Sequence, residues 1–325
     1  MHKKIEISQQ TILFTLAVLA GVWLVLQIRD ILFLLFIAFL LMTAIYPIVL
    51  WLERLRMPRA ISILLVYIVV LGSLGVSFAS AIPALVVQST KLAQELPGVI
   101  IRVLPYWNID IGSLTQQLTP IGENILKVTV GIFSNIVTTL TVLVFTFYFL
   151  LERRRAEATL IDLFGESIGT TTAQTLRLVE RRLGAWVRGE LLLMSFVGVL
   201  TYIGLTLLHV DFALPLAIIA GMLEIVPMMG PIIAAVPAVL VALATSPILA
   251  LSTAALYFVI QQTENNVLVP WIMKKSVGLS PLVTIIALMV GGRLAGLVGA
   301  VLAVPFLLVF QVVMNSFLIK KNPSP

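Results

Sequence analysis

Uninterrupted apolar runs set the terms for this chain. Residues 11–28, 31–51, 60–82, 130–151, 190–208 and 247–272 each read as a largely continuous oily stretch. Such runs approach the roughly 20 residues that an α-helix needs to cross a bilayer's hydrocarbon core. A helix satisfies its own backbone hydrogen bonds in lipid, and these runs do not alternate as barrel strands would. The expected fold class is an all-α polytopic membrane protein. It should have about six full spanning helices, two broken or re-entrant helical hairpins in the C-terminal third, and amphipathic helices between spans. With 60% hydrophobic and 11% charged residues in 325, no polar block is long enough for a soluble domain. The first run follows a basic start, "MHKKIEISQQ", but is longer than a signal-peptide core and lacks a clear A-x-A site, so it reads as a retained helix.

Charge gives the topology. The net charge of +6 is carried in short clusters beside the apolar runs, such as "ERLRMPR" and "ERRRAE". That distribution fits the positive-inside rule and anionic lipid as a partner, and no nucleic acid. Lys3 and Lys4, Arg54, Arg56 and Arg59, Arg153 to Arg155, and Lys320 and Lys321 then fall on the inner side, which makes both termini cytoplasmic. The chain divides into a transmembrane hairpin with a third span (1–82), an amphipathic extracytoplasmic segment (83–129), a fourth span (130–151), an amphipathic cytoplasmic segment (152–188) and a C-terminal core (189–325). The cytoplasmic segment is expected to rest a basic face on headgroups, with Trp186 at the interface.

The core carries an internal similarity. Two segments, 213–245 and 279–317, each hold two apolar stretches of roughly 14 to 18 residues around a Gly/Pro cluster, too short to be plain spans. Pro215 aligns with Pro281 and Gly230 with Gly296, while Pro237 matches Pro305 after a two-residue slip. One spanning helix, 247–272, separates them, which would make the two hairpins an inverted repeat. The first is expected to open outside and the second inside.

Ionisable groups at membrane depth cost at least roughly 2.5 kcal/mol each, so they line cavities or pair. Three stand out: Glu224, Glu264 and Arg293. Around Glu224, Pro227 cannot donate to the Leu223 carbonyl, nor Pro231 to that of Pro227, so unwound carbonyls beside a carboxylate are expected to bind a cation or a hydroxyl. Gly230 permits a tight turn there. In "QQTENNVLVPWI", the polar Gln261, Glu264 and Asn265 share one helical stripe with Leu268, and Gln262 and Asn266 widen the polar arc to about half the circumference. Pro270 frees the Asn266 carbonyl. Such a face serves either a substrate or ion path or hydrogen bonds between helices or subunits. Arg293 is a further binding candidate or marks a hairpin tip, with Gly292 and Gly296 at the second break. With no cysteine, two histidines and no HExxH, GxSxG or P-loop pattern, neither an enzyme nor a cofactor is expected.

"EIVPMMGP", "QTENNVLVPWIMKKSVGLSP" and "GGRLAGLVGAVLAVP" together resemble the signature region of the autoinducer-2 exporter family of bacterial inner-membrane transporters. The resemblance implies a homo-oligomer, a pentamer in one form, and either export of the quorum-sensing signal autoinducer-2 or sodium(lithium)/proton antiport. It places Glu224, Pro227, Gly230 and Pro231 at the family's acidic break, Glu264, Asn265 and Pro270 on its polar helix, and Gly292 and Gly296 at its second break. Met228 stands where many relatives place an aromatic residue. The leading expectation is a secondary transporter exporting a small polar solute, with antiport and a non-transporting oligomeric scaffold as rivals.

Overall fold

The computed structural model describes residues 9–73, 136–272 and 280–319, with three isolated helical positions, Val87, Lys91 and Gly98. Every element among the described residues is helical. In chain order, α1 is Gln9–Gln27, α2 Arg29–Arg54, α3 Arg59–Ser73, α4 Ile136–Leu207, α5 Ala213–Leu223 and α6 Met229–Thr245. α7, Pro247–Thr263, continues through a π-helical turn, Glu264–Leu268, into α8, Val269–Ile272, and α9 is Pro281–Ile319. α1, α2, α4 and α9 are each long and apolar enough to cross a membrane. The fold class is therefore an all-α polytopic membrane protein. Apart from the three isolated positions, the expected segment 83–129 lies outside the described residues, as do the terminal lysines.

α4 has 72 residues, which would extend about 108 Å if straight. It reverses instead at Gly165, whose φ of 75° and ψ of 167° leave helical space and suit only glycine well. A Cβ on Gly169 would lie 2.5 Å from the Ile161 Cα, so the two arms touch immediately after the turn. Rungs of charge continue the pairing. Glu157 Oε2 meets Arg177 Nη2 at 2.7 Å, and Glu180 Oε1 meets Arg153 Nε at 2.5 Å. The stretch expected to lie on headgroups is a pair of antiparallel arms joined by these ion pairs. Trp186 is not at a lipid interface but 5% exposed, in a core with Leu40, Leu302 and Leu308.

The second arm of α4 organises the rest. α7 runs antiparallel to it: a Cβ on Gly204 would press into Leu256 near one end, and Glu190 and Glu264 interact near the other. Between them sits the α5–α6 hairpin, whose Leu216, Ala220, Ala234 and Ala238 share a core with Val197, Leu205, Tyr257 and Ile260. It opens at the His209 end. α9 also folds back on itself, at Ala295 and Gly296, with Gly291 and Gly299 backbone to backbone. Its second arm lies along the arginine-rich half of α4, joined by Arg182 to Gln311 at 3.2 Å and by Thr175 to Ser316 at 2.6 Å, while Phe306 stacks on Phe36 of α2. The α9 hairpin thus opens at the arginine-rich end, on a different stretch of α4 from the α5–α6 hairpin.

Candidate functional site

The break between α5 and α6 is a sequence of tight turns. Pro227 leaves the Leu223 carbonyl without its helical donor, but the Val226 N–H takes it at 3.0 Å. The Pro227 carbonyl accepts from Met229 N–H at 2.8 Å, closing a three-residue turn on Met228, whose φ is 68° and ψ −38°. Both carbonyls expected to be unpaired therefore accept one local backbone hydrogen bond each. Gly230 is required by proximity rather than by its own dihedral: a Cβ would lie 1.9 Å from the Leu223 carbonyl oxygen. Pro231 is buried beside it and Pro227 is half-buried, so these residues shape the break.

The break presents Glu224. This side chain ends α5 and is 1% exposed. Glu264, 5% exposed, faces it from the start of the π turn, and the two carboxyls are within hydrogen-bonding reach of one another. Gln261 Nε2 donates to Glu264 Oε2 at 3.1 Å, one helical turn back. Oε2 of Glu224 is buried with no hydrogen-bond partner among the described residues. Glu190, on the second arm of α4 and 4% exposed, lies close enough to interact with both. Among the described residues no arginine or lysine forms an ion pair with any of the three.

From Leu207 back to Glu190, and from Pro247 forward to Glu264, the distance along each helix is about 25 Å. The carboxyls therefore sit toward the arginine-rich end. Between them and the His209 end, the buried Thr201 and Tyr257 hydroxyls also lack partners among the described residues. Chemically, two carboxyls that hydrogen-bond each other must share a proton, because two anions in contact at low dielectric repel strongly. Removing that proton leaves an uncompensated charge that calls for a cation. The three carboxyls do not converge into a metal-holding cluster among the described residues.

Other sequence candidates fall elsewhere. The π turn resets the register of the polar helix, with the Val269 N–H reaching back to the Glu264 carbonyl. Pro270 cannot supply Asn266, so five-residue bonding replaces four-residue bonding at this point. Glu264 and Leu268 are buried here, while Asn265 is exposed together with Gln262, Asn266 and Pro270. Asn266 Nδ2 bonds the Gln262 carbonyl of its own helix at 2.9 Å. Arg293 is exposed beside the α9 turn, apart from the carboxyls, and a Cβ on Gly292 would come within 3.9 Å of the Ala300 side chain. Glu190 was the residue that sequence reasoning passed over, since a charge opening a span reads as a boundary marker. The available signal was its stripe, shared at helical spacing with the buried Leu193, Val197 and Thr201.

YrrI of Bacillus subtilis (strain 168), whose name assigns it to transport, is 31% identical over 301 residues, covering 87% of this chain and 84% of its own. YhhT of Escherichia coli (strain K12), likewise named for transport, is 26% identical over 88% of this chain and 85% of its own. A protein of Halobacillus andaensis named as a sodium-lithium/proton antiporter is 25% identical over 87% of this chain and 89% of its own. The profile of the AI-2E family transporters matches residues 12–319. This chain is a membrane protein that belongs to the AI-2E transporter family.

Proposed function

We propose that the chain is a secondary transporter that exchanges protons for a monovalent cation at the Glu224–Glu264 pair, with Glu190 as the third charge of the site. The carrying observation is the buried carboxyl pair, which among the described residues has an unpartnered Glu224 oxygen and no basic residue paired to it. In the protonated state one carboxyl donates to the other. Loss of the proton leaves carboxylate oxygens that a sodium or lithium ion can take, so proton and cation occupy the site in turn and the charge there is conserved. The sodium-lithium/proton antiporter named among the relatives supports this choice of ions. Juxtamembrane arginines favour placement in the bacterial inner membrane with the arginine-rich end in the cytoplasm.

Purified protein in liposomes tests the reading. A sodium or lithium pulse should release protons from acid-loaded vesicles, and Glu264→Gln or Glu224→Gln should abolish that release. Undiminished exchange in both variants would sink it. A second reading, export of a small polar solute such as autoinducer-2, is favoured by one observation, the exposed amides of Gln262, Asn265 and Asn266. These amides cannot face lipid, so in this reading they line a path or meet a second copy of the chain. There Asn265→Leu with Asn266→Leu should stop solute efflux while Glu264→Gln only weakens it. A silent protein in every flux assay, with oligomers lost in the double leucine variant, would instead mark a scaffold.

A further inference from the structure

A second unbalanced group of charges lies where α2 crosses α4, remote in sequence from the carboxyl pair. Pro47 has no N–H to offer the Thr43 carbonyl, and Arg188 replaces it: its Nη1 donates to the carbonyls of Thr43 at 3.2 Å and Ala44 at 3.3 Å. Gly184, one turn earlier, allows this approach, since a Cβ there would stand 2.4 Å from the Thr43 oxygen. The rest of the guanidinium, Nε and Nη2, has no partner among the described residues. It borders a cavity of about 330 Å³ whose wall also carries Arg153, Arg177, Arg181, Glu157 and Glu180.

Four guanidiniums thus face two carboxylates, and both carboxylates are already engaged. Glu180 meets Arg153 at 2.5 Å, and Glu157 is held by Arg153 at 3.0 Å and Arg177 at 2.7 Å. Arg153, 6% exposed, is further fixed with its guanidinium 6.0 Å from the Tyr46 ring. Arg181 and Arg188 have no carboxylate partner among the described residues. Arg188 is half-buried and Arg181 exposed at the cavity's rim; a half-buried guanidinium without a counter-ion is costly, and a planar fork of N–H donors matches phosphate oxygens.

We propose that this cavity binds a phosphate-bearing anion, with Arg181 and Arg188 as its charge partners. The excess of two positive charges equals the charge of a phosphate monoester dianion and exceeds that of a phosphodiester headgroup. The site does not depend on the ion-exchange reading, because it shares no residue with the carboxyl pair.

The test uses the full-length protein in neutral phosphatidylcholine nanodiscs, with thermal unfolding as readout. One arm titrates inorganic phosphate at constant ionic strength, and the other replaces part of the lipid by phosphatidylglycerol. A rise in Tm in the first arm alone identifies a soluble phosphate, and in the second alone a lipid headgroup; either supports the site if it is lost in Arg181→Gln/Arg188→Gln and kept in Arg293→Gln. Because Arg188 also holds α2, Arg181→Gln is run separately and should weaken half-saturation about fivefold, the effect of one basic residue near an anionic group. No rise in either arm, or a rise of equal midpoint in Arg181→Gln, overturns the proposal.

Discussion

The two broken hairpins look alike in sequence and differ in what they deliver. At α9 the chain turns at Gly296 with φ 58°, open space surrounds that glycine, and the arms zip together through Gly291 and Gly299. The α9 hairpin borders an apolar cavity of about 320 Å³ that includes Phe33, Phe306 and Phe310, and Arg293, near the turn, is exposed. At the α5–α6 break the turn falls on Met228, Gly230 is pressed beneath the Leu223 carbonyl, and the helix before it ends in a buried carboxyl facing another. A Gly/Pro break makes a hairpin in both places. Only the break that delivers an ionisable group to a partner of the same charge makes a candidate site.

The sharpest way to break this contrast is to neutralise one charge at each hairpin. Glu264→Gln should reduce sodium-driven proton release to the level of protein-free vesicles, while Arg293→Gln leaves the rate unchanged. Equal loss in both variants would make the α9 turn a participant and undo the distinction.

Next in size is a methyl group added at each close approach. A Cβ would meet the Leu223 oxygen at 1.9 Å in Gly230→Ala, and the Gly291 oxygen at 2.0 Å in Gly299→Ala. Both contacts are with backbone, which yields little, so each variant should lose about 2–3 kcal/mol of stability. Their consequences should then part. Stabilisation of the protein by added sodium, followed by thermal unfolding, is expected to disappear in Gly230→Ala and to persist in Gly299→Ala.

Glu190 tests how far the site extends beyond the pair. It adds a negative charge without a direct hydrogen bond to Glu224 or Glu264, so Glu190→Gln should preserve exchange. At alkaline pH, where proton competition is least, sodium half-saturation should weaken about tenfold, equivalent to roughly 1.4 kcal/mol of lost attraction. Abolished exchange would promote Glu190 to the pair's equal.

What could be read from the sequence divides along physical lines. Spanning helices and both breaks were legible because apolar length and Gly/Pro punctuation act locally. Glu224 and Glu264 were conspicuous because a carboxyl inside an oily run has no cheap explanation. Asn265 lies about 100° round the helix from Glu264, at the edge of the polar stripe, and there it is exposed while Glu264 is buried. The carbonyls of Leu223 and Pro227 are each met by a new donor, which the loss of the helical one does not foretell, because 3₁₀-like and three-residue turns form there. The reversal at Gly165 was hidden because one glycine in "LFGES" does not interrupt helical periodicity; the long-range rungs from Arg153 to Glu180 and Glu157 to Arg177 make it evident.

The smallest expected effect concerns the residue that sets the shape of the first break. Met228 adopts φ 68° and ψ −38° with Met229 N–H bonded to the Pro227 carbonyl, close to a three-residue turn that is rare and strained for any residue with a Cβ. Its side chain is 42% exposed, so little packing is lost on removing it. Met228→Gly should therefore relieve strain and stabilise the protein by about 1 kcal/mol, observed as a raised Tm. The same relaxation should slow exchange if the strained turn holds Glu224 against Glu264, because a glycine there lets the end of α5 depart from that geometry. Gly296→Ala makes the opposite change at the other hairpin, adding a Cβ where φ is positive, and should lower Tm without touching the rate. A stabilised Met228→Gly protein with an undiminished exchange rate would mean that the turn is merely tolerated, and that packing of α5 on α4 alone positions the carboxyl.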